Sequence, residues 1–564
     1  MHRSPARYPG GAGPCAPAGR ARQGQSQRAP PAAVSDAAGA AGRGSASTEG
    51  VQAVSFEADQ AVSDAAGASG SVADLVRSAG RTAGGSTAFV APGTTLTWSQ
   101  VDDLVDATAA GLLRLGLVPG DRVALHLGNV PDFPVGYFGA LRAGLVVVPV
   151  NTGYTAEEIG HLLRDSGARA LLTSPAGRSL TAELAPVEHL VVAGGDGPGS
   201  LTALQAGPYE PVPSGAAGED LAVLLYTSGT SGRPKGAMLS HRALLANLEQ
   251  ASRVDPAVVV PGDVVLLVLP LFHVYGLNAA LGMVARQAAT GVLVERFDPV
   301  ETLADLRRHG VTCLVGAPPM YLAWSMLPEL REAFAGVRLA VSGAAPLPAE
   351  VLHRVLDATG HPVFEGYGLT ETAPALTSTL MSEVAVPGSI GRPLPGVELR
   401  LLDDAGHEVE EGDPGEIVVR GANLFSGYWP DGAGGPAADG WWPTGDVAYA
   451  DAAGDLHLVD RRRELILVSG FNVYPREVED VLTRHPAVRE AAVIGVPHPY
   501  TGESVKALVV AEDGARPAAD DVIAFCARSL ARFKCPTAVE VVDSLPHSAT
   551  GKVSKGRLRE LAGG

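Results

Sequence analysis

The sequence predicts an α/β protein with a large N-terminal domain of parallel-sheet βαβ layers and a smaller C-terminal domain. Three observations carry that expectation. From about Ser71 onward, short apolar runs alternate with helix-period stretches, which is the rhythm of parallel strands covered by helices. After about Pro393 the rhythm gives way to short alternating strands joined by Gly, Asp and Pro turns. Near the C-terminus, two further strand-like runs and two helical segments suffice for a small separate α/β unit. At 564 residues the chain also exceeds what one ordinary core accommodates.

The elements follow in order. Residues 1–70 are rich in Ala, Gly, Ser, Pro and Arg, and the octapeptide AVSDAAGA occurs at Ala33 and again at Ala61. Such a segment buries too little apolar surface to offset its chain entropy and is expected to be disordered. It lacks the apolar region of a secretory signal. Its Arg-rich, acid-poor start leaves open a transit peptide, with a low-complexity extension or an over-long gene start favoured. Asp121–Leu127 (DRVALHL) then follows a Pro-Gly turn and reads as a strand, with VGYFGALRAG as the next helix. Gly144–Val150 (GLVVVPV) reads as a buried strand, far short of the about 20 apolar residues of a membrane helix. ARALLTS, HLVVAGG, Val264–Pro270 (VVLLVLP), GVLVE, TCLVG and Val337–Gly343 (VRLAVSG) extend the parallel series. GVELRLLDD, GEIVVRG and DLHLVDR are the alternating strands. AAVIGV and KALVVAE, with helices around PREVEDVLTRH and DDVIAFCARSLARF, make up the C-terminal unit.

Composition narrows the function. Apolar residues are 46% and charged residues 18%, as in a soluble globular protein. A formal charge of −18 argues against a nucleic-acid partner, because phosphate backbones are bound by Lys/Arg-rich faces. Cys15, Cys313, Cys526 and Cys535 are scattered and form no CxxC pair, so neither a disulfide framework nor a zinc site is expected. Reduced thiols in a cytoplasmic protein fit this usage.

The stretch YTSGTSGRPKGA, Tyr226 to Ala237, follows the apolar run Leu221–Leu225. A Walker A loop needs G-x-x-x-x-G-K followed by Ser or Thr. Here Pro234 stands five residues after Gly229 and Gly236 follows Lys235, so a standard P-loop nucleotidase or kinase is disfavoured. The physics of phosphate binding remains: Gly229 and Gly232 let backbone N–H groups turn toward an anion, Thr227, Ser228, Thr230 and Ser231 add donors, and Lys235 supplies a point charge. On these residues alone, a flexible surface loop with a solvated lysine is the open alternative.

The stretch resembles the signature loop of the adenylate-forming superfamily, which comprises acyl-CoA synthetases, luciferases and nonribosomal adenylation domains. Tyr226 to Gly236 matches that pattern throughout, and further matches occur in family order. PLFHVYGL (Pro270–Leu277), SGAAPLP (Ser342–Pro348), EGYGLTET (Glu365–Thr372), GEIVVRG and SGYW come first. WWPTGDV (Trp441–Val447), VDRRRELILVSGFNVYPREVE (Val459–Glu479) and LPHSATGK (Leu545–Lys552) complete the series. The whole is most similar to bacterial fatty-acid–CoA ligases. The resemblance implies an N-terminal AMP-binding domain over 71–459 that includes a small β-barrel-like subdomain. It also implies a hinge over 460–464 and a small mobile C-terminal α+β domain over 465–564.

The chemistry this implies starts from a carboxylate, a poor electrophile. Attack on the α-phosphate of ATP gives acyl-AMP and pyrophosphate, and a thiol then displaces AMP. Two anions must meet, so cations and oriented donors are needed. By resemblance, Thr227 to Lys235 would hold the β- and γ-phosphates and Glu371 would bind Mg²⁺, as a hard cation favours. Thr370 would donate to the α-phosphate. Tyr367, in the turn with Glu365, Gly366 and Gly368, would stack on adenine, with Gly343, Ala344 and Ala345 along the other side. Asp446 would accept from the ribose hydroxyls, and Arg461 would reach the ribose or phosphates. Lys552 would bridge the attacking carboxylate and the α-phosphate. Arg463 occupies the hinge position, and Ser469, Gly470 and Phe471 would line a pantetheine tunnel once the C-terminal domain rotates. His273 would stand near the acyl and thiol channels, with a packed structural histidine as the alternative.

Two absences bear on the acid. LFHVYGL carries no aspartate to pair an amino-acid ammonium, whose unpaired burial would be costly. Gly366 stands where malonate-type synthetases place an arginine for the second carboxylate. A monocarboxylic acid, fatty or aryl, is therefore expected, with Gly316, Ala344 and Gly366 leaving room for it. Free coenzyme A is the expected acceptor, because no carrier segment follows Lys552. A separate carrier protein, a luciferase-like use of oxygen and a regulator without catalysis are the alternatives; Glu371 and Lys552 argue against the last. A homodimer and a lysine acetyltransferase acting on Lys552 are partners left open.

Overall fold

The structure is a computed structural model. It describes residues 54–56, 69–181, 187–227, 234–382, 386–461, 464, 466–468, 471–498, 502–530, 532–547 and 552–562. Among them the chain forms a large lobe with two sheets and a small lobe with one.

The first sheet has six strands in the order His189–Val192, Ala170–Thr173, Arg122–His126, Val146–Pro149, Leu221–Thr227 and Lys235–Ser240. All pairs are parallel except the last, which is a hairpin. The parallel strands are near-continuous apolar runs because both faces are covered; all four residues of Val146–Pro149 are buried. Ser240 ends the hairpin and caps the His241–Ser252 helix, its side chain accepting from the Ala243 N–H at 3.2 Å.

The second sheet has fourteen strands in one hydrogen-bonded run. Its core is parallel: Val363–Gly368, Leu339–Ser342, Cys313–Gly316, Val264–Leu267, Thr290–Leu293 and Thr87–Ala91. Beyond Val363–Gly368 the pairing turns antiparallel through Ala375–Ser378, Ser389–Pro393, Leu456–Arg461, Trp442–Ala450, Gly415–Gly421 and Val397–Leu402. The antiparallel strands expected as a small β-barrel-like subdomain of the large domain continue edge to edge from the parallel ones. Helices between the strands carry their own stop signals. Pro299–His309 starts on Asp298, which accepts from the Val300 and Glu301 N–H groups, and ends on Gly310 at φ +61°.

The expectation of disorder across residues 1–70 fails at Val54–Phe56. Ser55–Phe56 pairs antiparallel with Leu399 and Arg400, and the Val54 N–H donates to the Val409 carbonyl at 3.1 Å. The reason is local: Val54 and Phe56 are large apolar residues two positions apart, the period of a strand, and an open sheet edge stands ready to take them. The remainder of 1–68 lies outside the described residues.

The small lobe holds antiparallel Phe471–Val473, Ile466–Val468, Gly502–Ala511 and Val488–His498, with Ala538–Val542 added parallel to Gly502–Ala511. Helices Pro475–Leu482, Ala519–Cys526 and Lys555–Ala562 pack with it. No helix among the described residues is long and apolar enough to cross a membrane.

An aromatic cluster backs the parallel sheet. Trp324 is fully buried, edge-on to Tyr321, Phe297 and Phe334, and its indole N–H donates to Thr302 Oγ1 at 2.9 Å. Trp324→Ala should lower unfolding stability by about 3–5 kcal/mol, measured by urea denaturation. A loss below about 1 kcal/mol would show that the cluster repacks.

Candidate active site

The site grows from the strand where the large sheet changes from parallel to antiparallel. Val363–Gly368 pairs parallel with Leu339–Ser342 on one edge and antiparallel with Ala375–Ser378 on the other. Its last residue requires glycine, because a Cβ at Gly368 would collide with the Pro374 carbonyl oxygen. The same oxygen accepts from the Leu369 N–H at 3.0 Å and closes the turn. That turn brings Tyr367, Thr370 and Glu371 to a cleft of about 3570 Å³ lined by both lobes.

The Tyr367 hydroxyl donates to Asp446 Oδ2 at 2.7 Å, so the residues assigned to base and sugar touch. Asp446 is buried on Trp442–Ala450, opposite Arg461 in the ladder. Glu371 is buried too, and its Oε1 accepts from the Tyr428 hydroxyl at 2.6 Å while its carbonyl accepts from the Phe425 N–H at 2.9 Å. The Lys235 ammonium stands 5.2 Å from the centroid of the Tyr428 ring. Tyr428 therefore joins the expected metal ligand to the expected phosphate cation. It lies within SGYW, but nothing in that tetrapeptide shows that its phenol reaches a carboxylate 57 residues away in sequence.

Gly343, Ala344 and Ala345 line the cleft. A Cβ at Gly343 would come within 2.8 Å of the Tyr275 ring, and Ala344 holds a left-handed backbone at φ +70°. Glu365 is buried, with Oε2 accepting from the Leu347 N–H at 2.9 Å and Oε1 without a hydrogen-bond partner of ordinary geometry among the described residues. Burial raises its carboxyl to about 7 against the opposing pull of backbone N–H groups and Arg476. His273 lines the cleft and accepts from the Tyr275 N–H through Nδ1 at 3.3 Å. Burial first, and then the positive charge of Lys552, lower it to about 4. It is thus neutral near pH 7, with its proton on Nε2. Lys552, exposed, lines the same cleft.

Not every expected site residue is brought here. Gly316 does not open the pocket: its missing side chain is replaced by the Tyr321 ring, 3.0 Å from where a Cβ would stand, and Tyr321 is held there by its hydroxyl donating to the Val341 carbonyl. Gly366 does line the cleft, with nothing nearer its Cβ position than the Thr377 carbonyl at 3.7 Å. Thr227 and Lys235 face each other across the hairpin. Ser228, Gly229, Thr230, Ser231, Gly232, Arg463, Ser469 and Gly470 lie outside the described residues. Arg461 and Phe471 are described by their backbones, on Leu456–Arg461 and Phe471–Val473.

The sequence matches the model of the AMP-binding enzymes over residues 75–429 and that of the AMP-binding enzyme C-terminal domain over residues 477–552. It is 37% identical over 516 residues to a long-chain-fatty-acid–CoA ligase of Escherichia coli O157:H7, covering 85% of this chain and 92% of that one. It is 38% identical over 480 residues to a feruloyl-CoA synthase of Amycolatopsis sp, covering 84% and 95%. The fold superimposes on ATP-bound MatB from Rhodopseudomonas palustris with a TM-score of 0.80 at 35% identity, covering 87% and 98%.

Glu365 gives the site a pH signature. A carboxyl raised from 4.5 to about 7 binds its proton more tightly in the folded chain than in the unfolded one. Its contribution to stability therefore falls as pH rises through that window and is flat above it. Glu365→Gln should remove this part of the decline, read as a smaller drop in melting temperature between the acidic and neutral ends of the window. An unchanged drop would show that Glu365 titrates as an ordinary carboxylate.

Proposed function

Because this chain belongs to the AMP-binding enzymes, we propose that its acid is a monocarboxylic acid of the fatty class and its thiol coenzyme A. The chain is an AMP-forming acid–thiol ligase that activates a carboxylic acid as acyl-AMP with ATP. The observation that carries the proposal is that Lys552, from the small lobe, and His273, Thr370 and Glu371, from the large one, line a single cleft.

In this reading Thr227, Ser228, Gly229, Thr230, Ser231, Gly232 and Lys235 hold the terminal phosphates. Tyr367 stacks on the base beside Gly343–Ala345, and Asp446 takes the ribose hydroxyls. Arg461 reaches the same end, and Thr370 meets the α-phosphate. The residues fit Mg²⁺: Glu371 is a buried carboxylate in the cleft, fixed through one oxygen by Tyr428. The ion supplies positive charge to the phosphates when bound. Lys552 offsets the repulsion between the two anions, and a neutral His273 adds no second charge beside it. For the thiol step we assign the hinge to Arg463, within 460–464, between lobes at 71–459 and 465–564. Ser469, Gly470 and Phe471 would flank the incoming thiol.

Gly366 supports a monocarboxylic acid, since it has no side chain to pair a second carboxylate. The fatty class is supported by the likeness to long-chain-fatty-acid–CoA ligases. One observation favours an aryl acid instead. Tyr275 lines the cleft, and its buried hydroxyl has no hydrogen-bond partner among the described residues, an arrangement that suits an acid with a polar ring substituent.

The test is pyrophosphate release with ATP and Mg²⁺ across straight-chain acids from acetate to stearate, with malonate, benzoate, cinnamate and 4-hydroxycinnamate, each with and without coenzyme A. The expected result is release on longer straight chains, with AMP and the acyl-CoA as products. Release confined to 4-hydroxycinnamate would transfer the proposal to aryl acids, and release without a thioester would remove coenzyme A from it.

Acetylation of Lys552 abolishes its charge. It should lower acid-dependent pyrophosphate exchange by about a hundredfold or more and change thioester formation from preformed acyl-AMP by less than about threefold. Normal pyrophosphate release from the acetylated protein would end this role for Lys552.

A further inference from the structure

We propose that Lys555 is a positioning residue for acyl-AMP formation, holding Lys552 in the cleft through ion pairs to Glu464 and Glu479. The inference rests on the adenylation role given to Lys552 above.

Lys555 opens the Lys555–Ala562 helix, just after Lys552. Its Nζ lies 2.9 Å from Glu479 Oε1 and 3.2 Å from Glu464 Oε2. The three side chains are 11%, 17% and 20% exposed, so the charges sit largely out of water, where pairing matters more than on an open surface.

The two carboxylates belong to different parts of the chain. Glu479 lies on Pro475–Leu482, and its Oε1 also accepts from the Val493 N–H at 2.7 Å, which fixes it inside the small lobe. Glu464 lies on the crossover between Leu456–Arg461, the last strand of the large lobe, and Ile466–Val468, the first of the small one. The segment that carries Lys552 is anchored on both flanks. The Ser554 N–H donates to the Pro546 carbonyl at 2.7 Å, and Leu558 is buried against Leu545, Ala492 and Ile494.

These placements divide the labour. The Lys555–Glu479 arm joins two parts of one lobe and survives a movement of that lobe as a body. The Lys555–Glu464 arm ends on the crossover, one residue past Arg463, so it ties the start of the last helix to the chain where the lobes join. Together the two arms fix the segment that follows Lys552 to the small lobe, and so fix where that lobe presents Lys552. Without Lys555, two carboxylates would face each other across a partly dry gap, and the repulsion would displace the segment that precedes the last helix.

The test separates the two half-reactions in the full-length protein, using the acid that releases most pyrophosphate in the panel and its chemically synthesised acyl-AMP. Lys555→Ala and Glu464→Gln should each lower acid-dependent ATP–pyrophosphate exchange by about tenfold or more, while transfer from acyl-AMP to coenzyme A stays within about threefold. Lys555→Arg should restore most of the exchange. The double variant should be no worse than Lys555→Ala, as for residues acting through one link. Thermal melts identify a misfolded Lys555→Ala, in which case Glu464→Gln, which removes a charge and keeps the shape, decides alone. Equal losses in both half-reactions, unchanged exchange or additive effects would overturn the inference. A wild-type chain that exchanges with no acid in the panel would overturn the underlying reading of the function instead.

Discussion

The close approach of Gly368 to the Pro374 carbonyl is the constraint on which the site depends. It lets one strand end a parallel sheet and begin an antiparallel one within a single turn. A ligand crevice in an α/β protein lies where the strand order or direction changes, because neighbouring loops diverge there. Tyr367, Thr370 and Glu371 stand on that turn, and Asp446 and Tyr428 come to it from the antiparallel side. The parallel side brings Gly343–Ala345. A side chain at position 368 would separate these groups at their common root.

Electrostatics in this chain are local. The net charge is −18, yet Lys235, Arg476 and Lys552 all line the cleft. Each is held in a defined setting: Lys235 over a phenol ring, Arg476 near a buried carboxyl, Lys552 in the same cleft as an imidazole kept neutral by its burial and then by that lysine's charge. A cleft built this way receives an anionic ligand in a protein whose outer field repels it, so binding draws on preorganised short-range groups more than on long-range steering.

Much of this was legible in the sequence, for reasons that can be named. The βαβ rhythm was readable because parallel strands are apolar throughout, as in Val146–Pro149. The residues of EGYGLTET and WWPTGDV were readable because the family resemblance fixes their order. What the sequence hid depends on contacts between distant segments. Tyr428 becomes a partner of Glu371, and Lys555 of Glu464 and Glu479, only when the fold is known. Gly316 misled because the absence of a side chain is ambiguous: it can make room for a ligand or for a neighbouring ring, and here Tyr321 takes the space. Val54–Phe56 was hidden because two apolar residues in a low-complexity segment carry no periodic signal until an edge is there to receive them.

That short edge strand bears on how the chain reaches its fold. Ser55–Phe56 closes the end of a fourteen-stranded sheet by pairing with Leu399 and Arg400, which are synthesised hundreds of residues later. During translation the N-terminal residues emerge first and wait, and the Val397–Leu402 edge is exposed from its own emergence until they find it. Pairings of such sequence separation are slow to form, and an open edge is a template for another chain. The early segment thus acts as a late, partial closure: its two residues add little to the core, but they cover Leu399 and Arg400 on an edge that would otherwise stand open there.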